Sequence, residues 1–543
     1  MVSAIALAVV GSAAAQITLS ADFDTGSLGE LVRLDSVRLA LGEDSLTVYS
    51  LHIASRIDPP NPIDTTITPG SRWFHFRMEG VRHKPLFLHM QETEVCRPFF
   101  SYDGEEYRRF GMSENLLPQT VSTTFERDTV YVAYFVPYTH RRHVQDMERW
   151  NRSPFARREV IGHSFGGLPI EMLTVTDTMV PDSVKRKIWI HARVHTSEAP
   201  ASWHMAALVD TLLGEEPVMT EIRRHAVFYI VPETNPDGVA GGYSRSTPTG
   251  VNLEVNWNDP DSLTAPEVVA LKRTIERLTS DRPMDVALNL HSQIAPHATY
   301  WIHTAESTSP GFFRRELLLS ALTMSHTPLY GPGDQSFSAL NPKYPEGWIW
   351  DMFGSETLAL TFETPSTYFR NDPQGEWVSP ENLAQLGHAS LLALCDLLGL
   401  GGTERFIAYS EHMQYNDGWI ECCDAEHDRT NVSRRKRRDN RNPQRDSHPT
   451  QHSERHDTRI CFGDTYLVAE EYGAKVTFCF DNLPAGTYDI LKWIPGIYGA
   501  DETCGGWCTI GEVVHKINGQ LQWEYTASVP GDIMDVVMLV RRR

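Results

Sequence analysis

Long apolar runs are scarce in these 543 residues. Apart from Val2–Ala15, no stretch approaches the ~20 residues that a membrane span needs, so a helical span is excluded. Excess positive charge is lacking too: 49 Lys and Arg face 70 Asp and Glu, a formal charge of -21. That balance argues against a nucleic-acid partner or an anionic membrane surface and otherwise speaks to solubility. Cysteine is nearly missing from the first four hundred residues, where only Cys96 and Cys395 occur, while Cys422, Cys423, Cys461, Cys479, Cys504 and Cys508 crowd the end. An even cluster of this kind favours disulfides in an exported chain, with no pairing fixed by sequence. The CGGWC segment ending at Cys508 lacks the second pair that a structural zinc site requires.

The run Val2–Ala15 ends in three alanines before Gln16 and has no basic start. It reads as the tail of a secretory signal peptide over residues 1–15, which implies a secreted or periplasmic protein. The length implies roughly two to four domains. Residues 16–150 carry short alternating runs broken by Gly, Pro and Asp, such as LTVYSLHIAS and KPLFLHMQ, which predict a β-sandwich with no ionisable set that demands catalysis. From 151 to 403 strands alternate with helices, predicting a mixed-sheet α/β domain. The tract 404–458, with SRRKRRDNRNPQRDSHPTQHSERHD, has too few apolar residues to bury a core and reads as a linker. Residues 459–543 alternate again and predict a small β domain, in which Trp493, Tyr498 and Trp507 suit either a core or a face for an unknown ligand.

Within the α/β region, Gly162-His-Ser164-Phe-Gly166 matches the GxSxG of a serine hydrolase. That motif needs a strand before it and a helix after it, whereas LPIEMLTVTD is a strand, so a Gly-rich hairpin is expected and Ser164 is not the nucleophile. A TxxE capping box at Thr264 and Glu267 is expected to open the helix EVVALKRTIERL. The central stretch is IWIHARVHTSEAPASW, residues 188–203. An apolar strand runs into His195, Glu198 follows three residues later, and Pro200 suits the first turn of a helix. His291 follows the strand DVALNL, and Glu363 ends TLALTFE. Four such groups at strand ends of one sheet mark the edge where ligands gather in α/β folds.

The HxxE pair offers one imidazole and one carboxylate to a common point, which suits zinc bound by three protein ligands with one position left open. With His291 as third ligand, one zinc ion would bring the pKa of water toward ~7. Glu363 would carry a proton from water to the leaving amine, and Arg245 would steady the oxyanion.

These motifs resemble the zinc carboxypeptidase family, and within it the cytosolic carboxypeptidase, deglutamylase-like branch. HTSE is similar to the branch's HPGE zinc motif, LHSQ to its third-ligand segment, NPDGVAGGYSRSTPTG to its NPDG...R...G loop, and TFET carries TFE with the catalytic glutamate. The segment ending in YFVPYTHRRH is similar to the branch's N-terminal domain, and the likeness spans roughly residues 20 to 400. It implies zinc on His195, Glu198 and His291, and catalysis by Glu363 and Arg245.

One departure stands out. The family's GxDLNRxW is GVNLEVNW here, so the Asn-Arg pair that grips a terminal carboxylate becomes Glu254 and Val255. Glu254 in that position would repel a carboxylate and attract an ammonium, so a leaving group that is cationic, amidated or otherwise not a plain α-carboxylate is expected. The family's capping tyrosine falls near Asn341, with Tyr344 close enough to replace it. The expected function is a zinc metallopeptidase of carboxypeptidase type acting on a peptide or peptide-like amide. The alternatives are a zinc amidase or deacylase on acylated amino acids or cell-wall peptides, and a catalytically silent peptide-binding homologue.

Overall fold

The computed structural model describes residues 17–29, 32–41, 44–91, 97–117, 119–370, 377–400, 405–409, 413–416, 418–423, 465–494 and 506–542. The expected signal peptide, Cys96, Cys461, Cys504, Tyr498 and the basic run 433–457 lie outside these residues. The chain divides into two compact units, Met1–Ala298 with Asn341–His388, and Thr299–Leu340 with Ala389–Arg543.

In the first unit, two five-stranded sheets build the N-terminal β domain. One contains Thr18–Ser20, His75–Glu79, Val130–Ala133, Phe99–Ser101 and Tyr107–Arg109; the other contains Arg33–Leu41, Asp44–Ala54, Pro85–Gln91, Thr120–Thr124 and Asn115–Leu117. Alternation explains the strands: in Pro85–Gln91 the side chains of Leu86, Leu88 and Met90 are buried while their neighbours stay partly exposed.

The same unit holds six strands of a mixed sheet, β1 (Ala156–His163), β2 (Pro169–Val175), β3 (Arg186–Ala192), β4 (Ala226–Val231), β5 (Val286–Gln293) and β6 (Leu358–Pro365), in the order β1-β2-β4-β3-β5-β6. β1, β2 and β4 pair antiparallel, while β4, β3, β5 and β6 run parallel. β4 is buried at every residue, as a strand covered on both faces must be. Helix Pro266–Leu278 buries Val268, Leu271 and Ile275, one face at i, i+3 and i+7, in a cluster with Trp189, Val227 and Trp257. Each such side chain contributes roughly 1.5–3 kcal/mol on full burial.

The GxSxG segment is the turn of the β1–β2 hairpin, as expected, and Ser164 donates its hydroxyl to Asp237 at 2.8 Å. A Cβ on Gly162 would stand 2.4 Å from that of Ala270, so packing accounts for this glycine. The capping box at Thr264 and Glu267 does not form. Ala265 is the N-cap, Thr264 donates to the carbonyls of Asp259 and Pro260, and Glu267 instead accepts the Phe165 N–H of the hairpin turn at 2.9 Å.

In the second unit, Arg405–Tyr409 pairs with Val536–Arg541, and Trp419–Cys423 pairs with Thr465–Ala469. Strands therefore begin inside the segment read as linker, because Phe406, Ala408 and Trp419 join a core completed by residues from Leu467 onward. Their core includes Val476, Phe478, Tyr488, Ile490 and Leu539. Trp493 is buried and meets Trp507 edge-on at 5.4 Å, while the Trp507 indole donates to the carbonyl of Ala321. Cys395, Cys479 and Cys508 are free thiols, so none of these three takes part in the expected disulfides. Among the described residues no helix is long and apolar enough to cross a membrane.

His75 links the N-terminal sheet to its surroundings, with Nδ1 2.9 Å from the Thr25 hydroxyl and Nε2 2.6 Å from that of Tyr107. Burial pushes its pKa down to about 3. The unfolded chain, with the ordinary value near 6.5, takes up the proton first as pH falls, so stability is present above pH 6.5 and lost on acidification, by about 2 kcal/mol at pH 5. His75→Gln is expected to flatten the fall in melting temperature between pH 7 and 5. An unchanged slope would show that His75 accepts its proton inside the fold.

Candidate metal centre and active site

Local sequence explains how His195 and Glu198 come together. β3 ends at Ala192, Arg193 adopts φ 61°, and the chain turns through His195 to Glu198, the N-cap of helix Ala199–Leu212 with Pro200 in its first turn. Glu198 makes no side-chain cap bond. Its Oε1 lies 3.0 Å from His195 Nδ1, and its Oε2 lies 2.8 Å from His291 Nδ1 and accepts the Ser292 N–H at 2.9 Å. The two imidazoles meet at 4.7 Å between ring centroids. One carboxylate thus faces the same nitrogen of both histidines.

Register brings in the fourth group. His291 and Glu363 are direct partners across the parallel pair β5–β6, so their side chains leave the same face of the sheet. Glu363 Oε2 is shielded from solvent and has no hydrogen-bond partner among the described residues. Burial, reinforced by the charge of Glu198, pushes Glu363 up to about 7 against the opposing effects of His291 and Arg245. Arg245 is half-buried on the loop after Asn235, and its charge also helps lower His195, where burial is the larger cause.

The other faces of the two histidines are held as well. His195 Nε2 lies 3.1 Å from Asn252 Oδ1, and His291 Nε2 lies 3.1 Å from Glu254 Oε2. Glu254 also accepts from the Asn289 amide at 3.0 Å, that amide reaches Glu346 at 3.1 Å, and Glu346 accepts from the Thr361 hydroxyl at 2.6 Å. Sequence reading missed Asn252, Asn289 and Glu346; the one available signal was the polarity of Asn289 and Glu346 inside apolar strand and helix patterns, and Asn252, in a loop, offered none.

Glu254 therefore sits differently from the expected ammonium contact. It is 9% exposed and committed to His291 and Asn289, because a buried carboxylate must find donors. Val255 is equally buried, so neither presents an open group to a substrate terminus. Tyr344 is the N-cap of helix Pro345–Phe353 with the Lys343 ammonium 5.0 Å from its ring centre, and it has no recorded hydrogen bond to the cluster among the described residues.

The donor set fits a cation of borderline softness. Ligand atoms of His195, Glu254 and His291 lie within 4.8 Å of one another, with Glu198 between the two Nδ1 atoms. Burial alone would lower His291, yet Glu254 and Glu198 raise it well above the usual range; burial would raise Glu198, yet both histidines draw it well below. Two imidazoles and the carboxylates facing them converge on one buried point, and zinc matches two imidazoles and a carboxylate.

The zinc carboxypeptidase family profile matches residues 145–327, and the cytosolic carboxypeptidase N-terminal domain profile matches residues 19–135. An uncharacterised protein of Zymomonas mobilis is 28% identical over 345 residues, 60% of this chain and 87% of its own length. Mouse cytosolic carboxypeptidase 6 is 32% identical over 178 residues, 32% of this chain and 33% of that protein. The chain thus spans only about a third of this curated carboxypeptidase. Among solved structures, a metallo-carboxypeptidase from Burkholderia cenocepacia superposes with a TM-score of 0.57 at 24% identity, covering 70% of this chain and 99% of that one, which speaks to the fold. One from Pseudomonas aeruginosa gives 0.56 at 24% identity, covering 70% and 100%.

Fold and site together define a zinc-dependent metallocarboxypeptidase with a His–Glu–His metal centre. Residues 145–327 are a zinc carboxypeptidase domain, preceded over residues 19–135 by the N-terminal domain found in cytosolic carboxypeptidases.

Two carboxylates compete for the place of third ligand, and zinc content separates them. Glu198→Gln is expected to purify without stoichiometric zinc. Glu254→Gln is expected to keep the ion with an affinity weakened about 10–100-fold, as for an outer carboxylate that orients a ligating histidine. The reverse pattern would make Glu254 the ligand.

Proposed function

We propose that the protein hydrolyses a peptide or peptide-like amide near its C-terminal end, with His195, Glu198 and His291 holding the zinc ion and Glu254 and Asn252 orienting the two imidazoles. The observation that carries this reading is the shared carboxylate of Glu198 beside the unpartnered, buried oxygen of Glu363. Zinc bound there supplies a Lewis acid that polarises a carbonyl and acidifies water. Glu363 Oε2 takes the proton from the attacking water and delivers it to the departing nitrogen, a task suited to a carboxyl pushed up to about 7. The Arg245 guanidinium balances the negative charge that forms on the carbonyl oxygen. A carboxyl oxygen kept shielded and unpartnered beside the histidines favours turnover over a silent binding role.

Recognition of the substrate terminus departs from the family. With the Asn-Arg positions occupied by Glu254 and Val255, both buried, neither position offers a cation to a free α-carboxylate. The preferred leaving group is therefore uncharged or blocked, such as an amide, which also keeps an amidase acting on acylated amino acids or cell-wall peptides as a second reading.

A peptide library offered in paired free-acid and C-terminally amidated forms tests this. Cleavage is expected to stop on chelation, return with zinc, and favour the amidated members. Glu363→Gln should lower turnover about 10²–10⁴-fold with its zinc retained. A tenfold preference for free acids would sink the reading of the altered clamp, and full activity in Glu363→Gln would remove the assigned base.

A further inference from the structure

The Arg245 loop does not rest on the catalytic sheet alone. The N–H groups of Ser244, Arg245 and Ser246 converge on one carboxylate, that of Asp58 in the N-terminal β domain, at 2.9, 2.7 and 2.9 Å, and the Ser246 hydroxyl adds a fourth bond at 3.2 Å. Successive N–H groups turned to one point form a nest for an anion. Here the anion is the chain's own, and Asp58 is 2% exposed.

Its neighbours hold the loop from other sides. Arg56 donates to the Gly241 carbonyl at 2.6 Å and stacks 4.0 Å from the Tyr243 ring centre. The Ser244 hydroxyl accepts the N–H groups of Arg72 and Trp73, both at 2.9 Å. Gly250, at φ 87°, passes so close to Pro60 that a Cβ would stand 2.3 Å from that residue's carbonyl oxygen. The same turn touches the metal motif, since Ser197 N–H donates to the Ser244 carbonyl at 2.8 Å and Thr196 Oγ1 to that of Tyr243 at 2.5 Å.

We propose that Asp58 is a positioning residue for catalysis: it fixes the turn that aims Arg245 at the scissile carbonyl, so that the N-terminal β domain completes the active site. The inference rests on the hydrolytic reading above and adds a residue from another domain to it. Charge-assisted bonds to three backbone donors are stronger and shorter than neutral ones, so the turn is held against rotation. In Asp58→Asn the shape remains, but the side-chain amide cannot accept from all three N–H groups.

The test compares wild type, Asp58→Asn, Asp58→Glu, Arg245→Ala and the Asp58→Asn/Arg245→Ala double variant, each as the full zinc-loaded chain, on the best-cleaved member of the paired peptide library. Asp58→Asn is expected to lower kcat about 100-fold, the order of a 1 Å misplacement, with KM changed less than threefold and zinc still stoichiometric. The double variant should be no slower than Arg245→Ala, and Asp58→Glu should recover part of the loss. Amide exchange at residues 244–246, read by mass spectrometry, should rise at least tenfold in Asp58→Asn.

Wild-type kcat in Asp58→Asn, or losses that simply multiply in the double variant, would overturn the proposal. Loss of zinc in Asp58→Asn would also overturn it, since Asp58 would then act through the HTSE turn. If Arg245→Ala keeps full activity, the role given to Arg245 falls, and Asp58 is left as a structural anchor. If wild type cleaves nothing, the hydrolytic reading falls, while the exchange at 244–246 still decides whether Asp58 holds the turn.

Discussion

Glu198 shared between two imidazoles is the interaction on which the rest of the site depends. A carboxylate buried at a sheet edge is costly unless positive or donor groups surround it. Here the Nδ1 atoms of His195 and His291 and the N–H of Ser292 do so. That requirement explains features that look unrelated in the chain: the N-cap residue that caps nothing, the positive φ at Arg193 that lets the strand turn sharply into His195, and the polar residues packed behind the histidines. Asn252 and Glu254 fix the far nitrogens, and Asn289 with Glu346 then keeps Glu254 from being stranded among apolar neighbours. The polarity of this interior is layered outward from one pair of charges.

The parts of this arrangement that sequence reveals are those tied to strand ends. His195, Glu198, His291 and Glu363 each follow an apolar run, so their convergence could be read from strand periodicity and the likeness to a known family. The hairpin at Ser164 was equally legible, because a strand pattern follows it. What stayed hidden depends on contacts between distant residues. Nothing around Asp58 announces a partner some 186 positions away, and Glu254 reads as a substrate contact until burial and His291 claim it. The misplaced capping box has the same origin: Thr264 and Glu267 have the correct spacing, yet the hairpin turn recruits Glu267. Local pattern proposes a partner, and tertiary packing can supply a better one.

The replacement of the Asn-Arg clamp is more than the loss of a binding group. Glu254 is bound to His291, with Asn289 beside it in register with His191 on β3. A position that in the family looks outward to the substrate looks inward in this chain. The segment following Gly250 thus lends Asn252 and Glu254 to the two histidines, and a change made there is felt at His195 and His291.

Pairing of His291 with Glu363 across β5 and β6 has a further consequence. Side chains alternate faces along a strand, so a slip of one residue would carry either group to the opposite side. The imidazole and the carboxyl would then be separated by the thickness of the backbone, with every apolar contact of the strand reversed as well. The cluster thus doubles as a proofreading signal for strand alignment: a chain that reached a compact but misaligned state could not assemble it.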